Sequence, residues 1–127
     1  MTKEAVYSSS APEPIGPYSQ GIMHGNMLFV SGQIATDRSK DNAMVVDNIK
    51  DETIQVMKNI GYVLKAAGLD YSNIAKTTIF LKNMGDFPQV NEVYGSFFKE
   101  NPPARETVEV ARLPKDVHVE ISCIAVK

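Results

Sequence analysis

With 127 residues, 43% of them hydrophobic and 22% charged, the chain has the size and composition of one globular domain, long enough to bury about two-thirds of its unfolded surface. A net charge of −2 with no cluster of lysine or arginine on any predicted element excludes the electrostatic footprint of a nucleic-acid binder, and no apolar run approaches the ~20 residues of a membrane span. One cysteine excludes an internal disulfide, two distant histidines give no zinc spacing, and no phosphate-binding glycine loop is present, so neither a metal nor a nucleotide cofactor is expected.

The opening Met1-Thr2-Lys3-Glu4 has no apolar signal region, which together with the lone Cys123 reads as a protein of a reducing cytoplasm. Residues 8–17, rich in Ser, Pro and Gly, suit an ordered arm rather than a helix or central strand. Strands are predicted over 18–24 and 27–33, joined as a hairpin by Gly25-Asn26, two residues tolerant of positive φ. A polar loop over 37–42 leads through a short strand at 44–46 to a helix with apolar or small residues at Ile49, Thr53, Val56, Ile60, Val63, Leu64 and Ala67. Asp47 or Asn48 is available as its N-cap and Gly68 as its C-terminal left-handed residue. Its opposite face, with Lys50, Asp51, Glu52, Lys58 and Lys65, reads as solvated surface. A β-branched strand follows over 74–82. The next helix has Asp86 as candidate N-cap and Phe87, Val90, Tyr94, Phe97 and Phe98 as its apolar stripe, and Glu100-Asn101-Pro102-Pro103 ends it.

Two alternating runs close the chain, 106–110 and 117–125, with Pro114 marking the loop between them, and they read as a β-hairpin. In a register symmetric about that loop, Thr107 faces Glu120 and Arg105 faces Ser122. Arg105, Thr107, Glu109, His118, Glu120 and Ser122 then share a polar face, opposite Val108, Val110, Val117, Val119, Ile121 and Cys123. A guanidinium close to a carboxylate suits gripping a small acid and activating water beside it. The same pair on a solvated sheet face is also an ordinary ion pair worth ~0–1 kcal/mol. The order ββ(β)αβαββ is that of a single α+β domain spanning residues 1–127, its helices covering one face of a mostly antiparallel sheet. The open face, to which the last strand adds Ile124 and Val126, is suited to oligomerisation.

Ile15-Gly16-Pro17-Tyr18-Ser19-Gln20-Gly21, Ser31-Gly32-Gln33, Lys76-Thr77-Thr78-Ile79-Phe80-Leu81, Asp86-Phe87-Pro88-Gln89-Val90-Asn91, Pro103-Ala104-Arg105, and the run from Val108 to Lys115 followed by Val119-Glu120-Ile121 form a series in which the chain resembles, nearly end to end, the RidA (YjgF-type) family. The resemblance implies a chorismate-mutase-like α+β fold: a six-stranded, mostly antiparallel sheet with two helices on one face, trimerising through the other, with a site at each subunit interface. It also implies cofactor-free hydrolysis of reactive 2-imino acids, such as 2-aminoacrylate/2-iminopropanoate and 2-iminobutanoate, to 2-keto acids and ammonia. Carried over residue by residue, Arg105 would clamp the substrate carboxylate and Glu120 would activate water. Tyr18, Ser31 and Asn91 would frame the substrate, backbone around Gly32 and Thr107 would help hold it, and Phe87 would wall the pocket. Two positions depart from the family's frequent pattern: Thr107 stands where many members have cysteine, and Ser122 where many have a second acidic residue. A carboxylate-binding regulator would need Arg105 but no Glu120, and an RNA-cleaving translation inhibitor, an activity attributed to some members, fits poorly with the net charge of −2.

Overall fold

Gly25 takes a φ of 61°, a left-handed conformation that costs glycine little, and reverses the chain between β2 (Gly21–His24) and β3 (Met27–Gln33) as the turn dipeptide requires. The computed structural model describes residues 2–127. Strand β1 (Glu4–Val6) pairs with β2, an N-terminal strand that composition did not reveal. Two short strands, β4 (Thr36–Asp37) and β5 (Ala43–Met44), form a ribbon of their own, so the expected strand near 44–46 lies outside the main sheet.

Helix α1 (Ile49–Ala66) begins where Asn48 accepts the Asp51 amide and ends before Gly68, whose φ is 76°. Val56, Met57, Ile60, Val63 and Leu64 on its inner face are fully buried, each worth about 1.5–3 kcal/mol in burial alone. Glu52 departs from expectation: it is fully buried, not solvated. Beyond α1 run β6 (Ile74–Leu81) and α2 (Phe87–Gly95), the latter with Val90 and Tyr94 in the core. Asp86 gives α2 no side-chain cap; Asn83 instead caps the short turn leading into it, and Pro88 occupies the first helical turn, where its missing N–H costs nothing.

The chain closes with β7 (Ala104–Glu109) and β8 (Val119–Val126), and here the expected hairpin is overturned. The sheet order is β1-β2-β3-β8-β6-β7, so β6 lies between the two runs and β7 pairs with it in parallel at the sheet edge. The physical reason lies in the connection. A parallel neighbour needs a long crossover, which α2 supplies between β6 and β7, while residues 110–118 carry the chain across β6 to the far side, with Lys115 and Asp116 both at φ 54°. Residues alternate between the two faces within each run, but a period of two does not name a run's neighbour.

The register changes which residues share a face. Arg105 aligns with Thr77 and Thr77 with Cys123, both buried beneath the helices. Glu120 aligns with Phe80 and Phe80 with Val108, on the face that no helix covers. Arg105 and Glu120 therefore lie on opposite faces of the sheet within one chain, and Thr107 aligns with Ile79 and Ile121 rather than facing Glu120.

Candidate active site

Arg105 sits on edge strand β7 and reaches back under α2. Its Nη1 donates to Asn91 Oδ1 at 2.7 Å, and its guanidinium carbon lies 5.3 Å from the Phe87 ring centre and 5.1 Å from that of Tyr94. Phe87, Asn91 and Tyr94 stand at i, i+4 and i+7, so one face of α2 makes the whole cradle. Cation–π contacts of this kind contribute about 0.5–2 kcal/mol each and hold the guanidinium plane. Tyr94 is anchored in turn, its hydroxyl 2.7 Å from Thr77 Oγ1 on β6, and burial raises its pKa above the usual phenol range, which keeps it neutral. Among the described residues no carboxylate pairs with Arg105, so the rest of its donor fork is available to an acid from outside. Thr107 follows two residues along the same side of β7, and its buried Oγ1 has no hydrogen-bond partner among the described residues.

The second group of residues forms around a bulge. Val30 pairs with Cys123 and Gln33 with Ile121, so Ser31 and Gly32 together oppose Ser122 alone. The Glu120 carboxylate lies over the backbone at Gly32: a Cβ there would come within 2.4 Å of Glu120 Oε2. Burial raises the Glu120 pKa, and no described residue donates a hydrogen bond to its carboxylate or forms an ion pair with it. Ser31 Oγ donates to Ser19 O at 2.6 Å and Ser31 N to Gln20 O at 2.9 Å, tying β3 to the N-terminal arm.

That arm is ordered by two side chains. Gln20, 2% exposed, donates through Nε2 to Ser8 O and Pro12 O and accepts the Ser8 amide. Arg38 donates to Ala11 O at 2.9 Å and pairs with Glu13 at 2.8 Å. The arm thus presents a half-exposed Tyr18 at a crevice of about 180 Å³ that Ile15, Gly32, Gln33 and Lys115 also line.

The eight residues singled out from the sequence therefore fall into two sets of four. Phe87, Asn91 and Thr107 lie with Arg105 on the helix side, with no carboxylate paired to the guanidinium among the described residues, and Gly32 lies against Glu120, with Ser31 beside it in the bulge and Tyr18 in the crevice that Gly32 lines. Tyr94, Gln20 and Arg38 were missed as supports. Tyr94 occupies a core-stripe position that carries no separate signal, and the roles of Gln20 and Arg38 come from contacts across distant parts of the chain. No group of three or more metal-ligating side chains occurs among the described residues, and no helix among them is long and apolar enough to cross a membrane.

Against known proteins, the family described as Endoribonuclease L-PSP matches residues 8–127. A RutC family protein of Pyrococcus horikoshii is 51% identical over 98% of each chain. The human 2-iminobutanoate/2-iminopropanoate deaminase is 40% identical over 100% of this chain and 92% of its own. The crystal structure of the Escherichia coli YjgF gene product superposes with a TM-score of 0.92 at 42% identity, covering 98% of both chains.

Proposed function

The chain belongs to the RidA (YjgF-type) family, and from that premise we propose that it hydrolyses reactive 2-imino acids to 2-keto acids and ammonia. The observation that carries the reading is Glu120: a carboxylate with no cation beside it among the described residues, desolvated so that it holds a proton more readily than usual, and set against the bare backbone of Gly32. Arg105, already held by Asn91, Phe87 and Tyr94, would grip the substrate carboxylate with two parallel N–H bonds. Glu120 would take a proton from water as its oxygen bonds to the C=N carbon. Returned to the imine nitrogen, that proton would give a neutral carbinolamine; Glu120 would then carry the carbinolamine's hydroxyl proton to its amino nitrogen as the C–N bond breaks, releasing ammonia and leaving the keto oxygen. Water is the nucleophile, so Thr107 in place of a thiol does not block the chemistry.

Because Arg105 and Glu120 lie on opposite faces of one sheet, a complete site needs the edge of one copy against the open face of the next. Such a head-to-tail contact uses two different surfaces and closes into a ring, and a homotrimer with three interfacial sites is the assembly we propose. Exposed Met27 (37%), Phe29 (42%) and Val108 (44%) on the open face supply apolar surface for that contact. Relatives named deaminase support the chemistry. The family's endoribonuclease description finds little support in a chain of net charge −2. The test is to generate 2-aminoacrylate or 2-iminobutanoate in situ with a pyridoxal-phosphate dehydratase and follow keto-acid release. Release should accelerate with the protein present, and equal rates across several imines would remove the enzymatic reading in favour of a carboxylate-binding regulator.

A further inference from the structure

Glu52 lies in the first turns of α1 with no exposed surface, yet among the described residues no lysine or arginine pairs with it. A buried carboxylate with neither lysine nor arginine beside it is costly, and an apolar side chain of similar volume would serve packing better. Its contacts say what it does instead. Oε2 accepts the backbone N–H of His118 at 2.7 Å and of Val119 at 3.1 Å, and Oε1 lies 2.7 Å from His118 Nδ1. All of them fall on the two residues immediately before Glu120.

The sheet explains the need. On one side β8 is paired with β6 as far as Val119, and Lys82 N donates to His118 O just beyond it. On the other side, pairing with β3 ends where Gln33 meets Ile121, past the bulge that opposes Ser31 and Gly32 to one residue. The start of β8 therefore runs beyond β3, and the carboxylate from α1 takes the Val119 N–H that a longer β3 would have received, together with the N–H of His118 at the bend before it. We propose that Glu52 is a positioning residue for Glu120: by anchoring residues 118 and 119 it sets where the next carboxylate stands over Gly32. This inference rests on the hydrolysis proposed above, with Glu120 as its base.

The contact pattern predicts which substitutions are tolerated. Oε2 alone accepts both backbone N–H groups, so in Glu52→Gln the carboxamide oxygen can replace it while the NH₂ faces His118 Nδ1, which accepts in the Nε2–H tautomer. Glu52→Leu fills the space and accepts nothing. Since displacements of ~1 Å cost on the order of a hundredfold in rate, Glu52→Leu should lower kcat at least about tenfold, while KM, set by Arg105 on the other face, stays within about twofold. Glu52→Gln should keep kcat within about threefold. Leu64→Ala, a core truncation in the same helix, is the control for lost stability and should leave kcat in place. If Glu52→Leu fails to fold, Glu52→Asp, withdrawn by one methylene, carries the test with a several-fold loss of kcat at unchanged KM. Full kcat in both Leu and Asp variants would overturn the inference, as would equal losses in Gln and Leu or a loss matched by Leu64→Ala. A wild-type protein without activity would overturn the hydrolysis reading and this inference together, whereas an active wild type with unimpaired Glu52→Leu overturns this inference alone.

Discussion

Arg105 is held in place by its own chain, and in the proposed hydrolysis that ordering is where its value would lie. An acceptor at 2.7 Å and two aromatic faces fix the guanidinium, so little rotamer entropy remains to be lost on binding. Two charge-assisted bonds at about 1.5–3 kcal/mol each make Arg105→Ala cost on the order of 3–6 kcal/mol of transition-state stabilisation. A steady-state assay should find kcat/KM below about a tenth of wild type, and a folded variant above that level would refute the clamp. Arg105→Lys should fail as well, because an ammonium offers neither the planar fork nor the stack. For Glu120 the sign of the pKa shift gives two further expectations. Its folded pKa is raised above the ordinary 4.5, so kcat/KM should climb with pH along a limb lying above that value, and Glu120→Gln should abolish the limb and cost about 10²–10⁴ in rate. A carboxyl that binds its proton more tightly when folded costs stability as pH rises through the raised value. Glu120→Gln should therefore melt higher than wild type at neutral pH and lose that advantage in acid. An unchanged melting temperature at neutral pH would mean that the carboxylate is better solvated than its burial implies.

The bulge in β3 and the edge position of β7 shape the site more than any single side chain does. An extra residue at Ser31-Gly32 turns β3 so that bare backbone meets Glu120, and Gly32→Ala would drive a Cβ to 2.4 Å from Oε2. The carboxylate must then move. We expect a folded Gly32→Ala protein with kcat reduced by about tenfold or more, since small displacements of a catalytic group are costly. Normal kcat would show that Glu120 tolerates a shifted position. Helix α2 joins β6 to its parallel neighbour and also supplies Phe87, Asn91 and Tyr94 to Arg105, so one element sets both the topology and the grip. Its aromatic stripe was legible in the sequence as core, and Val90 and Tyr94 are core. That Tyr94 also backs Arg105 was not legible, because a stripe does not say which strand will run beside it.

A single copy leaves an apolar sheet face uncovered and holds both parts of the site apart. Phe29, 42% exposed, aligns with Ile124 on that face, and a charge at either position would sit in the proposed interface. Light scattering should give a mass near three times 14.0 kDa for the wild type, and Phe29→Asp or Ile124→Asp should lose assembly and activity together. A fully active monomer would contradict the division of the site between copies. Dilution should act in the same direction, with specific activity falling as the ring dissociates.

Local order along this chain is written in its residues: the Gly25 turn, the Asn48 cap, the α1 stripe from Val56 to Leu64 and the alternation of β8 all follow from short-range sterics and periodicity, and they suffice for an α+β domain. The motif series likewise marked Phe87 and Asn91, which touch Arg105, and Gly32, which lies against Glu120. Pairing was beyond its reach. Alternation with a period of two is identical whether 104–109 bonds to 119–126 or to 74–81, and only the crossover through α2 and the packing beneath it place β6 between them. From that one choice of neighbour follow the opposite faces of Arg105 and Glu120. The burial of Glu52 follows from the same cause, since long-range pairing determines which backbone groups are left for a helix to satisfy.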